Sequence, residues 1–334
     1  MYKQIEPTIM QLTAAAGFDN LSIATDPKDN HSSTVLVCHD NKTISINRID
    51  RDGKEMETSL LKSIKHNSII MIKLLTLMDK LYVMVHSPKM ISVYSIDNGG
   101  KLLFDFNFNA LHKTSILANS IEKVCDDLFC LATEHKLLMF SVTTQNDSIQ
   151  PKDFHQDLKS SSSSLITKFF GCDHQSSSFA LIEKQGKVIV WKWNEKGNNF
   201  IRSSSFDIHP NTKLSAIQTY KNWMIIGTVS GQIQIINIKT GRLNCEIQAH
   251  IKCITTMNVA LANGFLISGS EDSFARLFKI NSTEENDCQI DYLQQFIAPN
   301  EMIFGTKFLN DHASLLAITT FESNQIQLFR LIQT

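Results

Sequence analysis

Residues 249–280 read AHIKCITTMNVALANGFLISGSEDSFARLFKI, and this stretch contains the pattern that decides the fold. An apolar run is followed by a short polar turn and then by a third segment. In another copy this third segment begins QIQI at Gln232, where polar and apolar residues alternate strictly, which is the period of a β-strand with unequal faces. The pattern predicts strands over 251–260, 264–270, 274–280 and 289–297.

The same combination of apolar strand, polar turn and alternating strand occurs seven times. Aligned at the turn, the copies are marked by Asn41, Pro88, Glu134, Gln185, Ser230, Asp272 and Ser323. Six positions further along stand Asn47, Tyr94, Phe140, Trp191, Ile236, Phe278 and Phe329, most of them large and apolar. Repeats of about 40 to 50 residues with room for four strands are typical of the blades of a β-propeller.

The two ends of the sequence predict how the repeats close. The seventh repeat, from about residue 301, has three strands before the sequence ends at Thr334. Near the start, TIMQLTAA over about 8–15 is a spare segment that can supply the fourth strand, and such pairing removes an open sheet edge. We therefore expect an all-β chain with one domain over 1–334, a seven-bladed propeller whose last blade is closed by this N-terminal strand.

Composition and charge narrow the class of partner. The chain has 334 residues, with 32 Lys and Arg against 33 Asp and Glu. Because basic residues are not in excess, the composition does not predict binding to nucleic acid or to a membrane. No apolar run is long enough for a membrane helix, and the first residues lack the apolar core of a signal peptide. The seven cysteines mostly occupy apolar segments, which predicts buried thiols in a reducing compartment. The expected location is cytoplasmic.

Two groupings approach a metal-ligand pattern, Cys125-x4-Cys130 and Cys172-Asp-His174. Structural zinc sites usually need two closely spaced pairs of ligands, and no second pair has the right spacing. A glycine-rich phosphate loop is also missing from the sequence. The sequence therefore predicts no metal and no cofactor, and these residues are interpreted as buried thiols or loop residues.

His250, Ser268 and Asp272 have the order and spacing of hydrogen-bonding residues in WD40 repeats, and the chain resembles that family of propellers. In this resemblance Phe278 stands where a Trp is usual, and because Phe has no N–H the last link of the hydrogen-bonded chain is lost. A His buried in a loop needs a partner, and a turn carboxylate can accept from it and from turn amides. The three residues are interpreted as structural, and no catalytic residue is predicted.

Over residues 220–280 the resemblance is more specific. The runs IIGTVSGQIQIINIKTGRLNCEIQAH and LISGSEDSF resemble the WD repeat-containing protein 54 family. The matching positions are Gly227, Gly231, Gln232, Thr240, Gly241, Ala249, His250, Ser268, Glu271, Asp272 and Phe274. The resemblance implies a single seven-bladed propeller that acts in protein assemblies, with no catalytic residues to carry over.

The leading hypothesis is a non-catalytic protein–protein interaction scaffold, a WD40 propeller subunit of a larger intracellular assembly whose partners are other proteins. A composition rich in Asn, Lys, Ile and Ser is typical of an AT-rich, ciliate-like genome, which adds the expectation of a cilium or axoneme. Two alternatives stay open. A propeller-based enzyme would need acids or histidines converging at one end of the inner strands, and a modified-peptide reader would need an acidic or aromatic cage in the central channel. The binding residues stay unassigned.

Overall fold

The computed structural model describes twelve stretches of the chain: residues 1–14, 19–27, 34–40, 42–61, 68–97, 99–107, 118–143, 148–152, 156–173, 177–209, 212–282 and 287–332. In these stretches the regular elements are β-strands, which form seven sheets. The chain is therefore all-β, and the seven sheets are the blades of a seven-bladed propeller, as predicted. No helix in the described stretches is long and apolar enough to cross a membrane.

The strands are numbered in the order in which they occur along the chain. The first fourteen are β1 (Tyr2–Gln4), β2 (Thr8–Ile9), β3 (Leu21–Thr25), β4 (Thr34–His39), β5 (Ile44–Ile49), β6 (Glu55–Leu61), β7 (Met71–Leu77), β8 (Lys80–His86), β9 (Met90–Ser95), β10 (Lys101–Asn107), β11 (Ala118–Cys125), β12 (Leu128–Thr133), β13 (Leu137–Thr143) and β14 (Ser148–Lys152). The remaining fifteen are β15 (Ile166–Asp173), β16 (Ser178–Glu183), β17 (Lys187–Asn194), β18 (Asn199–Asp207), β19 (Leu214–Tyr220), β20 (Trp223–Thr228), β21 (Gln232–Asn237), β22 (Leu243–Gln248), β23 (Ile254–Ala260), β24 (Phe265–Ser270), β25 (Phe274–Ser282), β26 (Cys288–Ile297), β27 (Ile303–Phe308), β28 (Leu315–Thr320) and β29 (Gln325–Leu331). Blades one to six each take four consecutive strands, from β3–β6 for blade one to β23–β26 for blade six.

The repeat alignment locates the third strand of every blade. Six of the seven turn residues lie between the second and third strands, whereas Asn41 lies outside the described residues. The seven residues six positions further along all lie on third strands, and all are buried. The predicted offset is therefore confirmed. In each blade the buried residue on the third strand lies six positions after the aligned turn position.

The N-terminal segment completes blade seven, but mainly with an earlier stretch than predicted. β1 pairs antiparallel with β29, and β2 pairs with the beginning of the same strand. The predicted segment 8–15 supplies β2 and three further backbone hydrogen bonds, from Met10 N to Asn324 O (2.7 Å), from Ala14 N to Ser323 O (2.8 Å) and from Glu322 N to Ala14 O (3.0 Å). The closure itself is confirmed, and its bounds shift toward the start of the chain.

Tyr2 explains why the earlier stretch takes this place. Its ring is buried and meets Phe296 edge to face, with 6.1 Å between ring centroids. Its hydroxyl donates to the carbonyl oxygen of Ala313. The side-chain amide of Gln294 in blade six also bonds both the N–H and the carbonyl of Tyr2, at 2.9 and 3.0 Å. Burial of one large aromatic ring therefore anchors a strand that is too short to show a period in the sequence.

One compact unit consists of residues 1–74, 213–237 and 243–334, and it contains blades one, five, six and seven. Its core is made of the apolar faces of neighbouring sheets. The cluster between blades five and six includes Ile225, Ile233, Ile235, Met257, Leu266 and Phe278. Similar clusters lie between blades six and seven and between blades seven and one. Second strands such as β24 are buried along almost their whole length, because both of their faces are covered.

The other compact unit consists of residues 75–212 and 238–242, and it contains most of blade two with blades three and four. Its core is rich in aromatic rings. Phe169 stacks on Phe179 at 5.4 Å, and Trp193 meets Phe200 at 4.8 Å between ring centroids. Such pairs stabilise a core beyond the burial of their surface.

Within each unit, hydroxyl groups on the first strand of one blade accept from the backbone of the next blade. Ser22 Oγ accepts from Leu74 N at 2.9 Å, and Ser120 Oγ accepts from Phe169 N at 3.0 Å. Thr256 Oγ1 likewise accepts from Thr306 N at 3.1 Å. These bonds satisfy buried amides that face a neighbouring sheet, so they fix the register between adjacent blades.

Ser120→Ala should lower the free energy of unfolding by about 1 to 2 kcal/mol, because the buried Phe169 N–H loses its acceptor. Ser203→Ala, an exposed change on β18, is the control and should alter stability by less than about 0.5 kcal/mol. Urea unfolding followed by tryptophan fluorescence measures both. Equal effects of the two changes would contradict a specific role for the Ser120 hydroxyl.

Candidate functional site

The structure brings together the three side chains that the sequence singles out in blade six. His250 precedes β23, Ser268 lies on β24, and Asp272 lies in the turn between β24 and β25. His250 Nε2 is 2.8 Å from Ser268 Oγ, and His250 Nδ1 is 3.0 Å from Asp272 Oδ1. Donation from Nδ1–H to the carboxylate leaves Nε2 as the acceptor for the Ser268 hydroxyl.

Asp272 binds more than the histidine. Its carboxylate accepts from the backbone N–H of Ile251 and of Phe274, each at 3.1 Å. Arg276 Nη1 donates to Asp272 Oδ2 at 3.2 Å and to the carbonyl of Ala249 at 2.7 Å. One carboxylate therefore holds the loop before β23, the turn before β25 and the Arg276 side chain in a single arrangement.

Burial and hydrogen bonding set the charges of this cluster. Burial lowers the pKa of His250 below its ordinary value of about 6.5, and the opposing effect of Asp272 does not offset it. Burial raises the pKa of Asp272, but hydrogen bonds from His250, Ile251 and Phe274 outweigh it and hold the pKa well below its usual range. At neutral pH the cluster thus contains a neutral imidazole and an ionised carboxylate.

The lowered pKa of His250 predicts a pH dependence of stability. Because the unfolded chain takes up a proton near pH 6.5 and the folded chain does so only at lower pH, stability is present above about pH 6.5 and decreases as the pH falls below it. Each such histidine contributes a slope of at most about 1.4 kcal/mol per pH unit. The measurement is urea unfolding at pH 7.5 and at pH 5.5.

His250→Gln separates this contribution, since glutamine can still donate to Asp272 and accept from Ser268 without titrating. We expect the variant to have a shallower pH slope than the wild type. Some slope should stay, because burial also lowers the pKa of His39 to about 4. An unchanged slope in His250→Gln would show that His250 does not titrate in this range.

The distances in the cluster match those of a Ser-His-Asp catalytic triad, so access decides between a structural and a catalytic interpretation. Ser268 is 0% exposed, and the side chains of His250 and Asp272 are fully buried as well. A catalytic serine lies on an exposed turn where a substrate carbonyl can approach it, whereas Ser268 lies within a middle strand. The Ser268 hydroxyl is therefore closed to solvent, which favours the structural interpretation.

The remaining residues weighed from the sequence lie apart from this cluster. Phe278 is buried on β25 and meets Tyr292 edge to face at 5.9 Å. Cys125 Sγ donates to Asp127 at 3.1 Å, and Cys130 is fully buried. His174 and the side chain of Cys172 lie outside the described part. Within that part, no group of three or more His, Cys, Asp and Glu residues could hold a metal ion.

A groove of about 420 Å³ lies beside the cluster, between the outer strands of blades five and six. Arg276 lines it, and the sequence did not single this residue out. A signal was present, because Arg276 and Phe278 are two residues apart on β25 and therefore face the same side of the sheet. Isolated arginines on strands are common, so that signal becomes informative only with the groove in view.

Comparison with known proteins gives a matching family model and several distant relatives. The family model WDR54 matches residues 72–332. WD repeat domain 54 of Rattus norvegicus and WD repeat-containing protein 54 of Mus musculus are each 22% identical over 148 residues, and the Homo sapiens protein is 21% identical. These matches cover 44% of this chain and 43% of each relative, which is less than half of the relatives' length.

Solved structures share the fold over almost the whole chain. A chain in the crystal structure of the mitotic checkpoint complex has a TM-score of 0.68 at 11% identity, covering 99% of this chain and 92% of that one. The structure of U3-55K has a TM-score of 0.61 at 14% identity, covering 99% and 98%. At these identities the similarity concerns the fold alone.

Proposed function

The chain belongs to the WDR54 family, and from this we propose that it is a non-catalytic protein–protein interaction scaffold, one subunit of a larger assembly. In this proposal residues 1–334 act together as one propeller that presents binding sites on its loops and outer strands. A rigid repeat scaffold keeps such sites in place, and its function depends on the surface residues and not on the fold itself.

The observation that carries the proposal is the distribution of exposed apolar side chains. Of twelve large apolar residues exposed in the described part, seven lie between residues 229 and 297. They are Val229, Leu243, Ile251, Leu261, Tyr292, Leu293 and Ile297. Single exposed apolar residues are ordinary, but a concentration on two adjacent blades favours a contact surface for another protein.

The cluster of His250, Ser268 and Asp272 has a structural role in this proposal. Its complete burial supports that role over catalysis, because the hydroxyl is closed to substrate. The cluster would instead keep the loop at Ile251 and the side chain of Arg276 in fixed positions beside the exposed surface. A propeller-based enzyme or a reader of modified peptides stays the weaker alternative, since neither gains support from a particular residue here.

We propose a cytoplasmic location, because Cys38, Cys130, Cys253 and Cys288 are buried free thiols, as in proteins of reducing compartments. Burial raises the pKa of Cys38 and of Cys288 to about 12, which keeps these thiols protonated. A ciliary or axonemal assembly is the more specific form of the proposal, and it rests on composition alone.

Cross-linking mass spectrometry on the tagged protein at its endogenous level, washed at rising salt, tests the scaffold function. We expect a few partners that persist and cross-link to one part of the surface. The Gly231→Ala variant is the control for proteins that bind only misfolded chains, because its added Cβ would overlap the carbonyl oxygen of His250. Recovery of the protein alone at every salt concentration would show that it is not a stable scaffold.

A further inference from the structure

The groove between blades five and six combines an apolar lining with one cation. Ile247 on β22 and Ile290 and Tyr292 on β26 form its walls, and Phe278 lies beneath Tyr292. Ile251 lies at its edge and is 83% exposed, the largest value among the exposed apolar residues described. A concave, mostly apolar surface with a few polar groups is the usual form of a ligand-binding site.

Arg276 presents an unused part of its guanidinium in this groove. Its hydrogen bonds to Ala249 and Asp272 both come from Nη1, and the ring of Phe274 lies 4.8 Å from its Cζ atom. The Nε and Nη2 groups have no hydrogen-bond partner among the described residues, and the side chain is 21% exposed. A guanidinium held on one side by Asp272 is therefore preorganised to bind a second carboxylate.

Apart from the buried Asp272, the neighbouring carboxylates lie on faces turned away from the groove, so the exposed charge in it is that of Arg276. On β22, Glu246 accepts from Gln234 at 2.6 Å, on the opposite face from Ile247. On β26, Asp291 accepts from Asn281 at 2.6 Å, on the opposite face from Tyr292. The exposed Lys252 next to Ile251 adds positive charge at the edge of the groove.

We propose that this groove binds an extended peptide segment of a partner protein in which an acidic side chain lies a few residues from a large apolar one. The carboxylate bonds the free edge of Arg276, and the apolar side chain packs between Ile247, Ile290 and Tyr292. Tyrosine and arginine are, with tryptophan, the residues enriched among those that dominate binding energy at protein interfaces. The inference rests on the proposed scaffold function and names its binding site and the chemistry of its partner.

Selection of random twelve-residue peptides displayed on phage against the full chain tests this. We expect enrichment of sequences with Asp or Glu near Ile, Leu, Phe or Trp. The most enriched peptide, made synthetically with a fluorescent label, is then titrated by fluorescence polarisation. Ile251→Glu and Tyr292→Ser should each weaken its binding by about tenfold or more, through charge repulsion and lost contact respectively.

Ile201→Glu is the matched control, because Ile201 is also an exposed isoleucine, at 52%, on the outer strand β18. Its effect should stay within about twofold of wild type, the range of surface changes away from a site. Enriched peptides without carboxylates, no enrichment, or binding insensitive to the two groove variants would overturn the proposal. Such a result would not affect the partners captured in the cross-linking experiment. The two experiments therefore distinguish failure of the groove proposal from failure of the scaffold proposal.

Discussion

Gly231→Ala is expected to destabilise the protein by about 4 to 5 kcal/mol or to prevent folding, the upper end for single substitutions. Gly231 has φ of +83°, and an added Cβ would overlap the carbonyl oxygen of His250 and come within 2.6 Å of that of Lys252. Both oxygens belong to the backbone, so no side-chain rotation can relieve the overlap. The His250 loop cannot withdraw freely, because His250 N donates to Gly231 O at 2.8 Å and Asp272 holds the same loop.

Gly99→Ala provides the matched control. Gly99 also has positive φ, +65°, but nothing lies within 4 Å of its added Cβ. This variant should lose only the backbone preference of about 1 to 2 kcal/mol. The soluble fraction on expression and urea unfolding of the purified chains compare the two. If Gly231→Ala lies within about 1 kcal/mol of Gly99→Ala, the steric account is wrong.

Asp272→Ala is expected to lower the free energy of unfolding by about 3 to 5 kcal/mol, as for a buried ionic group removed from its partners. The change leaves His250, the backbone N–H groups of Ile251 and Phe274, and Arg276 without their acceptor. Unmet donors in a buried site are expensive because no water replaces the lost partner. Thermal and urea unfolding measure the loss.

Two further variants identify the cause. Asp272→Asn keeps the shape and one acceptor oxygen, so its loss should be smaller, about 2 kcal/mol. In a His250→Ala background, where the bond to position 250 is already lost, Asp272→Ala should lose less than in wild type by about 0.5 to 3 kcal/mol, since the two residues share one network. Additive losses in the double variant, or a loss below about 1 kcal/mol for Asp272→Ala, would contradict the network.

Much of the fold could be predicted because its signals are local. The offset of six residues from turn to buried position is the same at Asp272 and Phe278 as at Gln185 and Trp191, and strand period two follows from backbone geometry alone. The N-terminal closure was predicted, with β2 inside the predicted segment and β1 before it. Tyr2 anchors β1 by contacts with Phe296 and Ala313, which are roughly three hundred residues away in the chain.

The candidate site was likewise predicted from the sequence only in part. His250, Ser268 and Asp272 were predicted as one group because their spacing resembles a known repeat. The structure added Arg276 and the groove beside it, neither of which has a characteristic spacing. The triad-like distances would also have suggested catalysis, and only burial, which depends on the packed neighbouring sheets, favours the structural role.

The sequence by itself determined the number of blades, the strand order within each blade and the turn positions, because these follow from periodicity over a few residues. The tertiary structure alone decided which hydroxyl meets which amide between blades, why position 231 admits only glycine, and which face of Arg276 stays free. Those features depend on contacts between sheets whose residues lie about 20 to 50 positions apart or more, and such contacts arise only when the blades pack.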